Sequence, residues 1–208
     1  VKMPPYQGLE HHQRGMGATI VLFMIALIAL VGAALAYANR GNPARITSES
    51  ARVFSAVLLK QSADFRDAYS RFVFDGGDVA TMTFNAAGVP AGDLFNPATQ
   101  YGVYQAPPAQ ALAPGAVVAW RYNRSTAVTG IGSTAPESIA WLADVAQPVC
   151  AQVNNQMYGT PAIPLAALTQ AEVGAPGATI SLTPAGRATG CFATADNRFV
   201  FYSTLGES

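Results

Sequence analysis

MGATIVLFMIALIALVGAALAYA, residues 16–38, carries no charged side chain. As an α-helix, at about 1.5 Å per residue, it would reach about 34 Å, enough to cross a hydrocarbon core of about 30 Å. A helix this long with no polar side is expected to take lipid as its solvent, so the stretch predicts a transmembrane helix. Residues 1–15 precede it as a polar leader bearing Lys2 and Arg14. A cleaved secretory signal is the competing reading, with Ala34-Leu35-Ala36 as the small-residue cleavage pattern. The apolar run exceeds the roughly 7–15 residues usual for such signals, which favours retention. It holds no cysteine, which excludes a lipoprotein anchor.

Downstream, Asn39-Arg40-Gly41-Asn42-Pro43 interrupts helical propensity. Thr47 or Ser48 can then cap a second helix, with Glu49 favourably placed near its positive end. Within it Phe54, Leu58, Phe65, Tyr69 and Phe72 recur at helical spacing and mark one apolar face for the domain's own core. Arg52, Lys60, Asp64, Arg66 and Asp67 mostly take the other side. Asp75-Gly76-Gly77-Asp78 ends the helix. The expected organisation is a leader (1–15), a transmembrane helix (16–38), an amphipathic helix (39–75) and a β-rich domain (76–208).

From residue 78 onward short β-prone pieces alternate with turn residues. The expected strands are Val79–Phe84, Val117–Tyr122, Ser138–Leu142, Thr179–Leu182, Gly190–Thr194 and Arg198–Ser203, the last two joined by a turn at Ala195-Asp196-Asn197. The apolar run Arg198-Phe199-Val200-Phe201-Tyr202 suggests a strand covered on both faces, or an edge in a subunit contact. Residues 86–115, with Pro90, Pro97, Pro107, Pro108 and Pro114, read as a long irregular excursion. Asp144 could cap a short helix that holds Pro148 in its first turn, runs to about Tyr158 and stops at Gly159.

The chain has two cysteines, Cys150 and Cys191. Beside an export signal such a pair reads as one disulfide, the alternative being two separate buried thiols. Half of the residues are hydrophobic, 12% are charged and the formal net charge is zero. No basic run lies outside the helix flanks, so nucleic acid is excluded as a partner.

Gln13-Arg14-Gly15-Met16 followed by Gly17-Ala18-Thr19-Ile20-Val21-Leu22 resembles the N-terminus of type IV pilins and pseudopilins. In that family a basic leader ends in glycine, and a prepilin peptidase cuts before a Met or Phe that opens the apolar helix. The resemblance places the cut between Gly15 and Met16. The family's usual glutamate at the fifth mature position is replaced here by Ile20, a departure that suits minor pilins and pseudopilins. The family plan implies an α+β fold: a long N-terminal helix, half transmembrane and half amphipathic, packed on a small antiparallel β-rich head with one disulfide. It also implies that Cys150–Cys191 frames an exposed surface. Expected partners are the inner membrane, sister subunits meeting through the N-terminal helix, and the peptidase. The expected location is the bacterial inner membrane, single-pass with the head outside, or a cell-surface filament. Charge pulls against that orientation, since Arg40, Arg45 and Arg52 follow the span closely.

Both histidines, His11 and His12, fall in the leader, so an exported body would lack Ser-His-Asp chemistry and histidine-bound metal. The carboxylates Asp93, Glu137, Asp144, Glu172, Asp196 and Glu207 are dispersed, and no phosphate-binding loop or nucleophile elbow is present. Trp120, Tyr122 and Trp141 read as core residues rather than as the lining of a sugar or peptide groove. No catalysis, metal or cofactor is expected. The rival to a filament subunit is a single-pass or secreted binding protein that does not polymerise.

Overall fold

The computed structural model describes residues 47–85, 93–99, 101–132 and 136–207, all within one compact unit, Ile46–Ser208. The leader, the Gly15–Met16 junction and the apolar stretch 16–38 lie outside the described residues. Among those described, no helix is long and apolar enough to cross a membrane.

Helix α1 spans Ser48–Phe74. Thr47 caps it, its hydroxyl accepting from the Ser50 amide at 3.2 Å, while Glu49 and Arg71 suit the two ends of the helix dipole. At the far end the amides of Gly76 and Gly77 bond back to the carbonyls of Val73 and Phe72, a Schellman closure. It needs glycine twice. Gly76 sits at φ 81°, and a Cβ on Gly77 would come within 2.6 Å of the Phe72 ring. The buried face is Ala51, Ser55, Leu58, Gln61, Ser62, Phe65, Ala68, Tyr69 and Phe72, the expected stripe except that Phe54 is only half-buried.

Five strands follow: β1 (Arg121–Val128), β2 (Glu137–Leu142), β3 (Thr179–Ile180), β4 (Thr189–Ala193) and β5 (Phe199–Glu207). They form one sheet in the order β3-β1-β2-β5-β4. Helix α2 (Gln147–Tyr158), the single turn α3 (Gln170–Val173) and a 3-10 turn (Ala109–Ala111) complete the regular structure of the described residues. The domain is therefore α+β with one disulfide, Cys150–Cys191.

The sheet is covered on both faces. One packs against α1 and α2 through Ala140, Leu142, Cys191 and Phe201, joined by Phe65, Trp120 and Val149. The other, carrying Ile139, Trp141, Phe192, Val200 and Tyr202, is roofed by Ala166, Val173, Ile180 and Leu182. The two central strands accordingly lose nearly all solvent contact: every residue of β2 is buried, and Val200, Phe201 and Tyr202 are fully so. Of the two readings of the 198–202 run, coverage on both faces is the observed one.

Four expectations need correction. The sheet is mixed rather than antiparallel, because β3 pairs parallel with β1. After β2 the chain runs through α2 and α3 before β3, a connection long enough to bring it back in the direction of β1. Val79–Phe84 forms no strand; only Thr83 makes an isolated bridge, to Asp93. The strand expected at Val117–Tyr122 begins instead at Arg121, since Val117 and Val118 are 62% and 41% exposed and the backbone partners lie further on. Asp144 does not cap α2. It sits at φ 55°, where an N-cap needs extended backbone, and its carboxylate pairs with Arg198; Ala146 takes the cap position without a side-chain bond.

Candidate functional site: the disulfide seam and the surface grooves

Cys150 lies in the first turn of α2, with Asn154 and Tyr158 four and eight residues on, so the three share one helix face. That face closes the outer edge of β4. The disulfide joins Cys150 to Cys191 with a Cα–Cα distance of 5.3 Å. One turn later Asn154 acts as a substitute peptide group: its Oδ1 accepts from the Cys191 amide at 2.9 Å and its Nδ2 donates to the Cys191 carbonyl at 2.9 Å. A second turn on, the Tyr158 hydroxyl donates to the Thr189 carbonyl. Beyond the helix, Pro164 and Ala166 bond both backbone groups of Ala193. An edge strand normally offers its free backbone to other chains; here each alternate residue of β4 is already paired.

Arg66 ties α1 to β4 and β5. Its Nη2 donates to Thr189 Oγ1 at 2.8 Å and Ser203 Oγ at 3.0 Å, and its Nε to the Thr204 carbonyl at 3.2 Å. Asn123 fixes the roof, its Nδ2 donating to the carbonyls of Val173 and Ala175.

The carboxylates are held locally. Asp93 is buried, accepting from Thr83 Oγ1 at 2.9 Å and the Phe95 amide at 2.8 Å. Glu137, also buried, accepts from the Val128 amide at 2.8 Å, two residues beyond its own backbone partner Thr126. Glu172 completes a capping box with Thr169, whose backbone and hydroxyl hold its carboxyl below the ordinary 4.5. The Thr194 hydroxyl first, and then backbone amides, likewise lower Asp196, which accepts from the Gln170 amide at 3.0 Å. Among the described residues, no group of three His, Cys, Asp or Glu side chains is placed to hold a metal ion.

Trp120 and Trp141 are buried, as expected of core residues. Trp120 Nε1 donates to Gln61 Oε1 at 3.2 Å. Tyr122 stacks on Phe84 and shares a 3.0 Å hydrogen bond with Ser138, and burial pushes its phenol up to about 12. The exposed aromatic surface lies elsewhere. At the C-terminal end of α1 a groove of about 520 Å³ is bounded by Ser70, Arg71, Phe74, Asp75, Thr99 and Tyr101. Phe74 is 90% exposed, while Tyr101 meets the Phe72 ring edge-on at 5.5 Å. A second groove, of about 440 Å³, runs past Met82, Tyr122, Arg124 and Pro176 beside β1.

Of the site residues expected from sequence, Cys150 and Cys191 are brought together, while Gly15 and Met16 lie outside the described residues. The roles of Asn154, Tyr158 and Arg66 were not foreseen. The four-residue spacing from Cys150 was the available signal for the first two; Arg66 carried none, because its partners are more than a hundred residues away. No protein-family model, curated protein or solved structure matches the chain.

Proposed function

We propose that this chain is a pilin-like structural subunit, a minor pilin or pseudopilin of a type IV pilus or type II secretion-like filament. One observation carries the reading. A charge-free stretch of membrane-spanning length, opened by Gly15-Met16, leads within a few residues into a capped helix lying on a disulfide-bearing α+β domain. On this reading residues 16–38 wait in the inner membrane with the head outside. A peptidase removes the leader, and the apolar helix is drawn into a bundle of sister helices that replaces lipid as its solvent. The disulfide supports an oxidising location for the head. The covered edge of β4 supports assembly through the helix, since Cys191 and Ala193 already spend both outward backbone groups, and Thr189 its carbonyl, on α2 and the segment after it. Ile20 at the fifth mature position supports a minor rather than a major subunit. The chain performs no catalysis in this role.

The rival, an anchored or secreted binding protein, is favoured by the groove at the end of α1. With 27 residues in that helix, the groove lies about 40 Å along it from Thr47.

Mass spectrometry of the mature N-terminus in the native host separates the two. A start at Met16, N-methylated, is expected, and Gly15→Val should accumulate the longer precursor. A start at Tyr37, or an N-terminus upstream of Gly15, overturns the filament reading in favour of its rival.

A further inference from the structure

Arg187 is buried where its neighbours are not. It is 7% exposed, although Gly186 and Ala188 on either side are exposed, so it belongs to the margin of the domain. Its guanidinium lies over the Tyr158 ring, Cζ 4.2 Å from the centroid, a cation–π contact that holds the group without satisfying its N–H donors. Nε and Nη1 are both buried without an acceptor. Among the described residues no carboxylate compensates the charge, the ion pairs there being Lys60–Asp64 and Asp144–Arg198. The adjacent phenols are committed as donors, Tyr202 to the carbonyl of Arg187 itself at 2.5 Å and Tyr158 to that of Thr189.

A guanidinium cannot relieve its burial by losing a proton, as a lysine can. A buried cation is ordinarily paired and hydrogen-bonded, and orphaned buried donors in a native fold commonly mark a bound ion or water. Arginine is suited to oxyanions because its planar fork matches two oxygens at once. We propose that Arg187 is the recognition group of a small-oxyanion site, taking a carboxylate, phosphate or sulfate against the guanidinium while Tyr158 supports its opposite face. The site lies within the disulfide-bounded segment, and the proposal does not rest on the filament reading.

The test is thermal unfolding of the full chain in detergent, followed by tryptophan fluorescence. Sodium phosphate, sulfate and acetate are each compared with sodium chloride at matched ionic strength. The expected result is a saturating rise with at least one oxyanion of roughly 3–5 °C at about ten times its dissociation constant. Arg187→Met abolishes the rise and Tyr158→Phe, which keeps the ring, retains it. A rise of equal size in Arg187→Met is the general effect of excluded salts and overturns the proposal, as does no rise beyond chloride. Because the methionine variant could fail to fold, the unmodified protein supplies a second readout: the Arg187 Nε–Hε resonance, assigned by NMR, shifts saturably with the same anion. A flat titration overturns the proposal on its own.

Discussion

Asn154 shows how much one side chain contributes in this domain. It is fully buried and serves three partners: the amide and carbonyl of Cys191 and the carbonyl of Ala162. Replacing it with alanine leaves both backbone groups of Cys191 unpaired under α2, where water is excluded, and each orphan costs about 1–3 kcal/mol. Asn154→Ala is expected to lower unfolding free energy by about 2–4 kcal/mol, read from the guanidinium chloride midpoint with the disulfide intact. Gln156→Ala two residues on removes only an exposed 3.4 Å contact to the Arg52 carbonyl and should stay within about 0.5 kcal/mol. Equal effects from the two substitutions would refute the edge-sealing role. Nothing local in the sequence announces that role. An asparagine is usually a surface or turn residue, and this one becomes a strand surrogate only because Cys191 is drawn up beside it from 37 residues away.

Helix α1 is the element whose reading came closest to the structure, and the reason is range. Its cap, its dipole-matched ends, its apolar stripe and its Schellman stop each depend on residues within about a turn of one another. Its energetic centre is Phe65, which is 1% exposed and meets Phe84, Phe95 and Trp120 edge-on at 5.2–5.5 Å. Phe65→Ala should destabilise by about 3–5 kcal/mol, as expected for an emptied aromatic site. Val73→Ala, on a residue 44% exposed, should change stability by about 0.5 kcal/mol or less. Paired chemical denaturation curves check both, and a Phe65→Ala cost near that of Val73→Ala would contradict this packing. Strands were less legible than helices. Val117 and Val118 look like strand residues yet stay exposed, while the polar run 121–128 becomes β1 because β2 and β3 supply backbone partners on either side.

For the molecule as a whole, the disulfide is the covalent tie between α2 and the sheet. It closes a separation of 41 residues, worth about 4 kcal/mol on the chain-entropy estimate. Cys150→Ser combined with Cys191→Ser is expected to lose about that much, measured by calorimetry against the oxidised parent. A loss near zero would mean that the hydrogen bonds of Asn154 and Tyr158 hold the seam unaided. That tie and the mixed sheet come from opposite ends of what a sequence can say. The charge-free run and the amphipathic helix were legible in composition and short spacing, since each rests on near neighbours; the two lone cysteines admitted a single pairing, but whether they paired was left to the fold. The strand order, the parallel seating of β3, the roof over the second face and the sealing of β4 were decided only in three dimensions. Each rests on contacts between residues tens of positions apart, and such contacts are chosen by whichever global packing leaves the fewest backbone groups unpaired and the least apolar surface in water.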